Sequence, residues 1–169
     1  MYKRQDILSK SRCSIAITVT TLKNSLARRL EPNAPSPNNR VKALEELYEN
    51  GIPIIVRIDP IIPFINDDEV TELVDRLSFV NHITTSTFKP RFDSWRRFKK
   101  VFPIEAGKLE KLYFKEGEKI SNSWYLPKYI RYEILSKVRE KTEEYGISFG
   151  SCRENYYSNI TCDGSHLIP

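Results

Sequence analysis

Four short segments rich in β-branched residues, set apart by stretches of helical periodicity, constrain this chain more than any other feature. Residues 14–21 read SIAITVTT, 52–58 IPIIVRI, 82–89 HITTSTFK and 147–151 ISFGS. That composition marks buried strands. After 14–21 comes a loop, LEPNAPSPNN, and then RVKALEELYENG, with Val41, Leu44, Leu47 and Tyr48 on one helical face and Gly51 at the C′ position. Asn66-Asp67-Asp68 supplies an N-cap for a helix through Val70, Leu73, Val74 and Leu77. Residues 94–145 read as mostly helical, interrupted at Pro103, Gly107, Gly117 and Pro127, with a last helix over 127–145 ended by Gly146. Residues 2–11 predict a short helix.

Strand alternating with helix implies parallel pairing through right-handed crossovers. The expected fold class is α/β, with repeated β-α units and helices outside parallel strands. Such units build an open doubly wound sheet or part of a (β/α) barrel. In both, chemistry gathers at the carboxyl ends of the strands. Those ends here are polar: Thr20-Thr21, Arg57-Ile58-Asp59, Thr87-Phe88-Lys89 and Ser151-Cys152-Arg153-Glu154. Neither GxGxxG nor GxxxxGK[ST] accompanies them, so a Rossmann or P-loop reading lacks its phosphate cradle.

With 169 residues, 40% of them hydrophobic, the chain suits one core and a single domain over 1–169. Within it, about 1–90 forms β/α units, 91–145 the mostly helical part, and 146–169 the final strand and tail. No run of about 18 apolar residues and no apolar signal-peptide middle is present, which predicts a cytoplasmic protein without a membrane partner. Cys13, Cys152 and Cys162 are an odd, sparse set that reads as reduced thiols.

The net charge of +5 is concentrated in KPRFDSWRRFKK, where Lys89, Arg91, Arg96, Arg97, Lys99 and Lys100 meet one acid, Asp93. Cations interleaved with Phe92, Trp95 and Phe98 suit single-stranded or flipped-base DNA. The same spacing, continued to Phe102, also describes a helix with an aromatic core stripe and a solvated basic face.

The succession TVTTL (18–22), LEPNAPSPNNR (30–40), GIPIIVRIDPIIPFIND (51–67), SCRE (151–154) and CDGSHLI (162–168) resembles, in order, the C-terminal half of radical SAM proteins related to spore photoproduct lyase, the DNA repair photolyase-like group. The resemblance implies the C-terminal portion of a partial (β/α)6 TIM-like barrel. S-adenosylmethionine would lie across its strand ends and chelate a [4Fe–4S] cluster. The cluster motif CxxxCxxC is absent from this sequence. The chain is therefore expected to contribute cofactor and substrate contacts while the cluster half comes from elsewhere, and to be inactive alone. The alternative is a non-catalytic remnant or a basic nucleic-acid-binding module. A sheet beginning mid-barrel exposes a parallel edge, which predicts a partner: an N-terminal radical SAM half or a second copy.

Five residues are candidate cofactor contacts. Arg57 offers a bidentate fork to a carboxylate, and Asp59 would accept from a ribose or orient Arg57; alternatively the two form a structural ion pair. Arg40 opens a helix, where a cation is unfavourable unless a ligand carboxylate or Glu31 relieves it. Thr20 and Thr21 stand at a strand end within reach of a ribose. Cys152, ending a strand on the same face, is the candidate catalytic thiol, a hydrogen-atom donor to a substrate radical. Cys152, Cys162 and His166 are spaced unlike any usual zinc pattern, so no metal is assigned. His82 begins a strand, away from the active face, and reads as structural.

Overall fold

The structure, a computed structural model, describes residues 5–156 and 160–168. In chain order it contains α1 (Gln5–Leu8), β1 (Ile15–Thr18), α2 (Asn24–Leu30), α3 (Pro37–Glu49), β2 (Ile54–Ile61), α4 (Val70–Arg76), β3 (His82–Thr87), α5 (Phe92–Val101), α6 (Pro103–Phe114), β4 (Glu118–Ile120), β5 (Ser123–Tyr125), α7 (Lys128–Glu144) and β6 (Ser148–Ser151). A 3-10 turn (Ser165–Leu167) follows. The α/β alternation is as expected. Residues 2–4 of the predicted first helix lie outside the described residues.

β1, β2, β3 and β6 form one parallel sheet in that order, so each new strand joins beside the preceding one and the winding never reverses. One hydrophobic cluster explains this. Val41, Leu44 and Leu47 of α3, Val70, Leu73 and Val74 of α4, and Ile134, Leu135 and Val138 of α7 pack against Ile54, Val56, Ile58, Ile83 and Phe149. The crossover helices therefore share one sheet face. Because successive side chains in a strand alternate, the opposite face carries a second set. Its lowest row is Ala16, Ile55, His82 and Ser148, and the next is Thr18, Arg57, Thr84 and Gly150, each aligned across the four strands.

Several elements depart from the sequence expectations. A short helix, α2, stands where a loop was read, and α3 begins at Pro37, with Ser36 Oγ accepting from the Asn39 amide at 3.3 Å. Gly51, at φ 69°, ends that helix as predicted. Gly107 does not break α6, and residues 118–125 form a hairpin instead of helix. β2 runs on to Ile61, through a cis Asp59–Pro60 peptide and a register shift against β3. Asn66 does not cap α4, whose N-cap is Glu69. Instead its fully buried amide accepts from the Ile62 amide at 2.7 Å and donates to the Thr20 and Pro60 carbonyls at 2.8 and 3.2 Å. Local sequence marks a polar residue before a helix, whereas unpaired backbone groups in the bend after β2 decide where its hydrogen bonds go.

A second apolar cluster sits at the carboxyl end of the sheet. Trp95, Phe98 and Phe102 meet Ile62, Leu109, Tyr113 and Leu126 there. The helical spacing of these aromatics is thus a core stripe, and it anchors α5 over the strand ends.

Candidate functional site

Two residues beyond Arg57, Thr84 and Gly150 on the same face come Asp59, Ser86 and Cys152, with Thr20 beyond Thr18 on β1. Parallel strands bring all four to one edge of the sheet. Asp59 is the hub: its Oδ2 accepts from Arg57 Nη2 at 2.7 Å and its Oδ1 from Ser86 Oγ at 2.5 Å. The hydrogen bond to Asp59 raises the Arg57 pKa above its ordinary value against the opposing cost of burial, with a smaller contribution from Cys152. Arg57 and Asp59 are both partly open to solvent; Asp59 lines two adjoining hollows, and Arg57 stands beside it outside their linings.

A cleft of about 490 Å³ opens above this row. Leu30, Ile62, Phe88, Phe98 and Phe102 wall it, Thr20, Glu31 and Asp59 supply oxygens, and Arg29 and Arg97 add cations to the lining. A second hollow of about 290 Å³ shares Asp59, Pro60 and Phe88 with it and reaches Ser86, Lys89 and Cys152. Together they can seat a ligand that has an apolar, planar part and several hydroxyl or ammonium groups.

The other predicted contacts separate. Thr20 Oγ1 donates to Glu31 Oε2 at 3.1 Å on the cleft rim. Thr21 is turned away, its buried hydroxyl donating to Glu69 and accepting from the Lys23 amide. Arg40 lies behind the rim. Its Nη1 donates to the Thr18 carbonyl at 2.7 Å and to Glu31 Oε2 at 3.0 Å, and its Nε to the Pro35 carbonyl at 2.9 Å. Glu31 therefore relieves the cation near the α3 N-terminus, and Arg40 acts on the cleft by holding that carboxylate.

The six cations of 89–100 do not form one surface. Lys89 is drawn inward: its Nζ sits 2.6 Å from Glu154 Oε1 and donates to the Thr87 and Cys152 carbonyls at 3.1 and 3.2 Å. The pull is a carboxylate with no exposed side-chain surface, which also meets Arg131 Nη1 at 3.2 Å. Arg91, Arg96, Arg97, Lys99 and Lys100 remain solvent-facing. Arg97 pairs with Asp93 at 2.8 Å, and Lys99 approaches Glu110 at 3.4 Å.

Cys13 Sγ donates to the Leu8 carbonyl near the amino end of β1, Cys152 lies at the carboxyl end of the sheet, and Cys162 sits on the segment beneath it. Among the described residues no three His, Cys, Asp or Glu side chains gather as metal ligands. Nor is any helix there long and apolar enough to cross a membrane. Ser86 and Arg131 were not singled out from sequence, and Glu154 was named only as part of a polar strand end. Ser86 had a signal, a run of four hydroxyl residues, Thr84–Thr87, in a buried strand; Arg131 had none.

No family model matches the sequence, and no solved structure does. A 142-residue stretch is 31% identical to an uncharacterized protein of Methanocaldococcus jannaschii, MJ0683. The match takes in 80% of this chain and 49% of that protein. The chain thus spans about half the length of the curated relative it matches.

Proposed function

We propose that the chain is the C-terminal part of a radical SAM enzyme of the spore photoproduct lyase-like group and contributes the S-adenosylmethionine and substrate side of its site. The observation that carries the reading is the unreversed parallel sheet, whose strand ends present Thr20 and Asp59 to an apolar-walled cleft and Asp59, Ser86 and Cys152 to the hollow adjoining it. An unreversed run of parallel strands with these helices on one face is compatible with part of a (β/α) barrel, which supports the reading.

The residues present suit S-adenosylmethionine. Asp59 and Glu31 each keep acceptor capacity for a ribose or an ammonium, Arg57 keeps donors for a carboxylate, and Phe88 and Phe98 offer faces to an adenine. They do not suit the iron–sulfur cluster, because the three thiols lie apart. When bound beside a cluster supplied by another part of the protein, the cofactor would furnish a 5′-deoxyadenosyl radical. The chain's own residues would bind, orient and screen: Asp59 holds Arg57 and Ser86 in place, the aromatic wall excludes water, and the Cys152 thiol stands in the adjoining hollow, where it could return a hydrogen atom to a substrate radical.

Equilibrium dialysis of the chain against S-adenosylmethionine tests this reading. Saturable binding, weakened about tenfold, or ~1.4 kcal/mol, by Asp59→Asn, is expected. No binding by the chain, either alone or co-produced with a segment carrying CxxxCxxC, would remove the proposal.

A second reading, a nucleic-acid-binding surface, is favoured by α5. Phe92 is 86% exposed beside Arg96, Lys99 and Lys100, while Ser94 and Arg97 of the same helix line the cleft. Phosphates tracking the exposed arc would lead a strand to the cleft rim.

A further inference from the structure

Residues 160–168 lie against the lower half of the helix-free sheet face, away from the cleft. Thr84 Oγ1 donates to the Cys162 carbonyl at 2.7 Å. Two glycines allow the close approach: a Cβ at Gly150 would stand 2.8 Å from Cys162 Cα, and one at Gly164, whose φ is 74°, 2.5 Å from Ile55 Cδ1. Beneath this strap His82 has no exposed surface, and its ring meets that of His166 edge-on with centroids 5.1 Å apart.

Ser148 fixes the protons. Its Oγ lies 2.9 Å from the Asn81 carbonyl, which can only accept, so the one hydroxyl hydrogen is spent there. Ser148 therefore accepts from His82 Nδ1 at 2.8 Å and from His166 Nε2 at 3.2 Å. His166 Nδ1 is then free to accept from Thr161 Oγ1 at 2.8 Å. His82 Nε2 is left a buried lone pair with no partner among the described residues. Burial first, and then His166, push His82 down to about 4, opposed by hydrogen bonding of the protonated ring to the Cys162 backbone, then by Asp163 and by the Ser148 backbone. The titratable groups acting on His82 are both on the strap, His166 and Asp163. β2 and β6 present Ile55, Ser148 and Gly150, and Tyr48 and Tyr145 line a groove beside His166.

We propose that residues 160–168 are a strap latched to the sheet by His82 and His166 through Ser148, and released when the buried His82 takes up a proton. Protonating His82 puts a charge, cut off from water, in a space closed by Gly150 and the strap, where the Cys162 backbone offsets the cost of burial only in part. The sign follows from linkage: a histidine whose pKa is lower when latched than when released, where it returns towards 6.5, favours the latched form at neutral pH. That preference fades as pH falls from about 6.5 towards about 4, by at most about tenfold per pH unit for each proton. Release uncovers Ile55, His82 and Thr84 and leaves the helix-side core closed.

The chain has only two histidines, so both imidazoles can be followed by NMR alongside 15N relaxation of backbone amides. Between about pH 7 and about pH 4, Gly164 to Leu167 should lose order while Val56 and Ile83 keep theirs. His82→Asn with His166→Gln, which preserves an N–H donor to Ser148 at each position without the titration, should keep the strap ordered throughout. Three results would overturn the latch: an unchanged wild-type strap at about pH 4, loosening in step with Val56 and Ile83, or the same pH dependence in the double variant. If the double variant is loose already at neutral pH, the wild type decides: a strap midpoint that departs from the titration of the His82 resonance rejects the proposal.

Discussion

Lys89 Nζ and Glu154 Oε1 lie 2.6 Å apart, joining the end of β3 to the segment after β6 beneath the candidate site. The same carboxylate oxygen accepts from the Thr87 amide at 2.6 Å and the Thr87 hydroxyl at 2.9 Å. Replacing Glu154 by Leu leaves Lys89 and the buried Arg131 without this anion and should cost about 3–5 kcal/mol of unfolding free energy in urea titration. Glu154→Gln keeps an acceptor for Thr87 and should cost clearly less. Equal losses for the two would show that packing, and not charge, holds this joint.

Asn66 offers a cleaner test of the bend that carries Asp59. Its amide makes three hydrogen bonds and no surface is exposed, so Asn66→Ala should destabilise by about 2–3 kcal/mol. Asn66→Asp should be worse at neutral pH, since a carboxylate cannot donate to the Thr20 and Pro60 carbonyls, and should partly recover in acid as it becomes protonated. A neutral effect for either variant in thermal unfolding would refute the stapling role.

On the surface, Asp75 accepts from Tyr145 Oη at 2.6 Å and from Lys141 Nζ at 2.9 Å, linking α4 to the end of α7. The Tyr145 hydrogen bond, followed by that of Lys141, holds the Asp75 carboxyl below its ordinary pKa. A depressed carboxylate contributes stability that is present above its unfolded pKa and lost as pH falls through the folded one. The difference in melting temperature between wild type and Asp75→Asn should therefore shrink in acid and also in high salt, because the group is solvent-exposed. A difference independent of both pH and salt would count against an electrostatic origin.

For α5, fluorescence anisotropy with a labelled single-stranded oligonucleotide separates the two functional readings. A binding surface at Arg96 and Lys100 should give log affinity falling with log salt, with a slope of about −0.7 for each phosphate neutralised. Arg96→Glu with Lys100→Glu should flatten that slope, and Phe92→Ala should weaken binding by about 1–3 kcal/mol if a base stacks there. Affinity indifferent to salt would leave α5 as an ordinary solvated helix.

Much of the fold was legible because its signals are local. The β-branched composition of 14–21, the helical face of 41–48 and the Pro127 and Gly146 that bound the last helix are all features of residues close in sequence, and Gly51 ends its helix through its own backbone freedom. Trp95, Phe98 and Phe102 were readable as a stripe for the same reason. Arg57 and Asp59 were visible because charges at the end of an apolar run stand out, and strand direction then placed them towards the carboxyl edge of the sheet.

What the sequence determined by itself was the alternation of elements and the polarity of the strand ends. Tertiary structure alone decided which polar groups face a ligand and which are consumed by the protein. Lys89 belongs to a basic segment by composition, yet Glu154, 65 residues away, draws it inside. Asn66 has the composition of a cap, yet distant carbonyls claim its amide. His82 and His166 are brought together by a tail folding back under the sheet. The physical reason is common to all three: a buried donor or acceptor must find its partner in space, and the partner's place in the chain leaves no periodic trace.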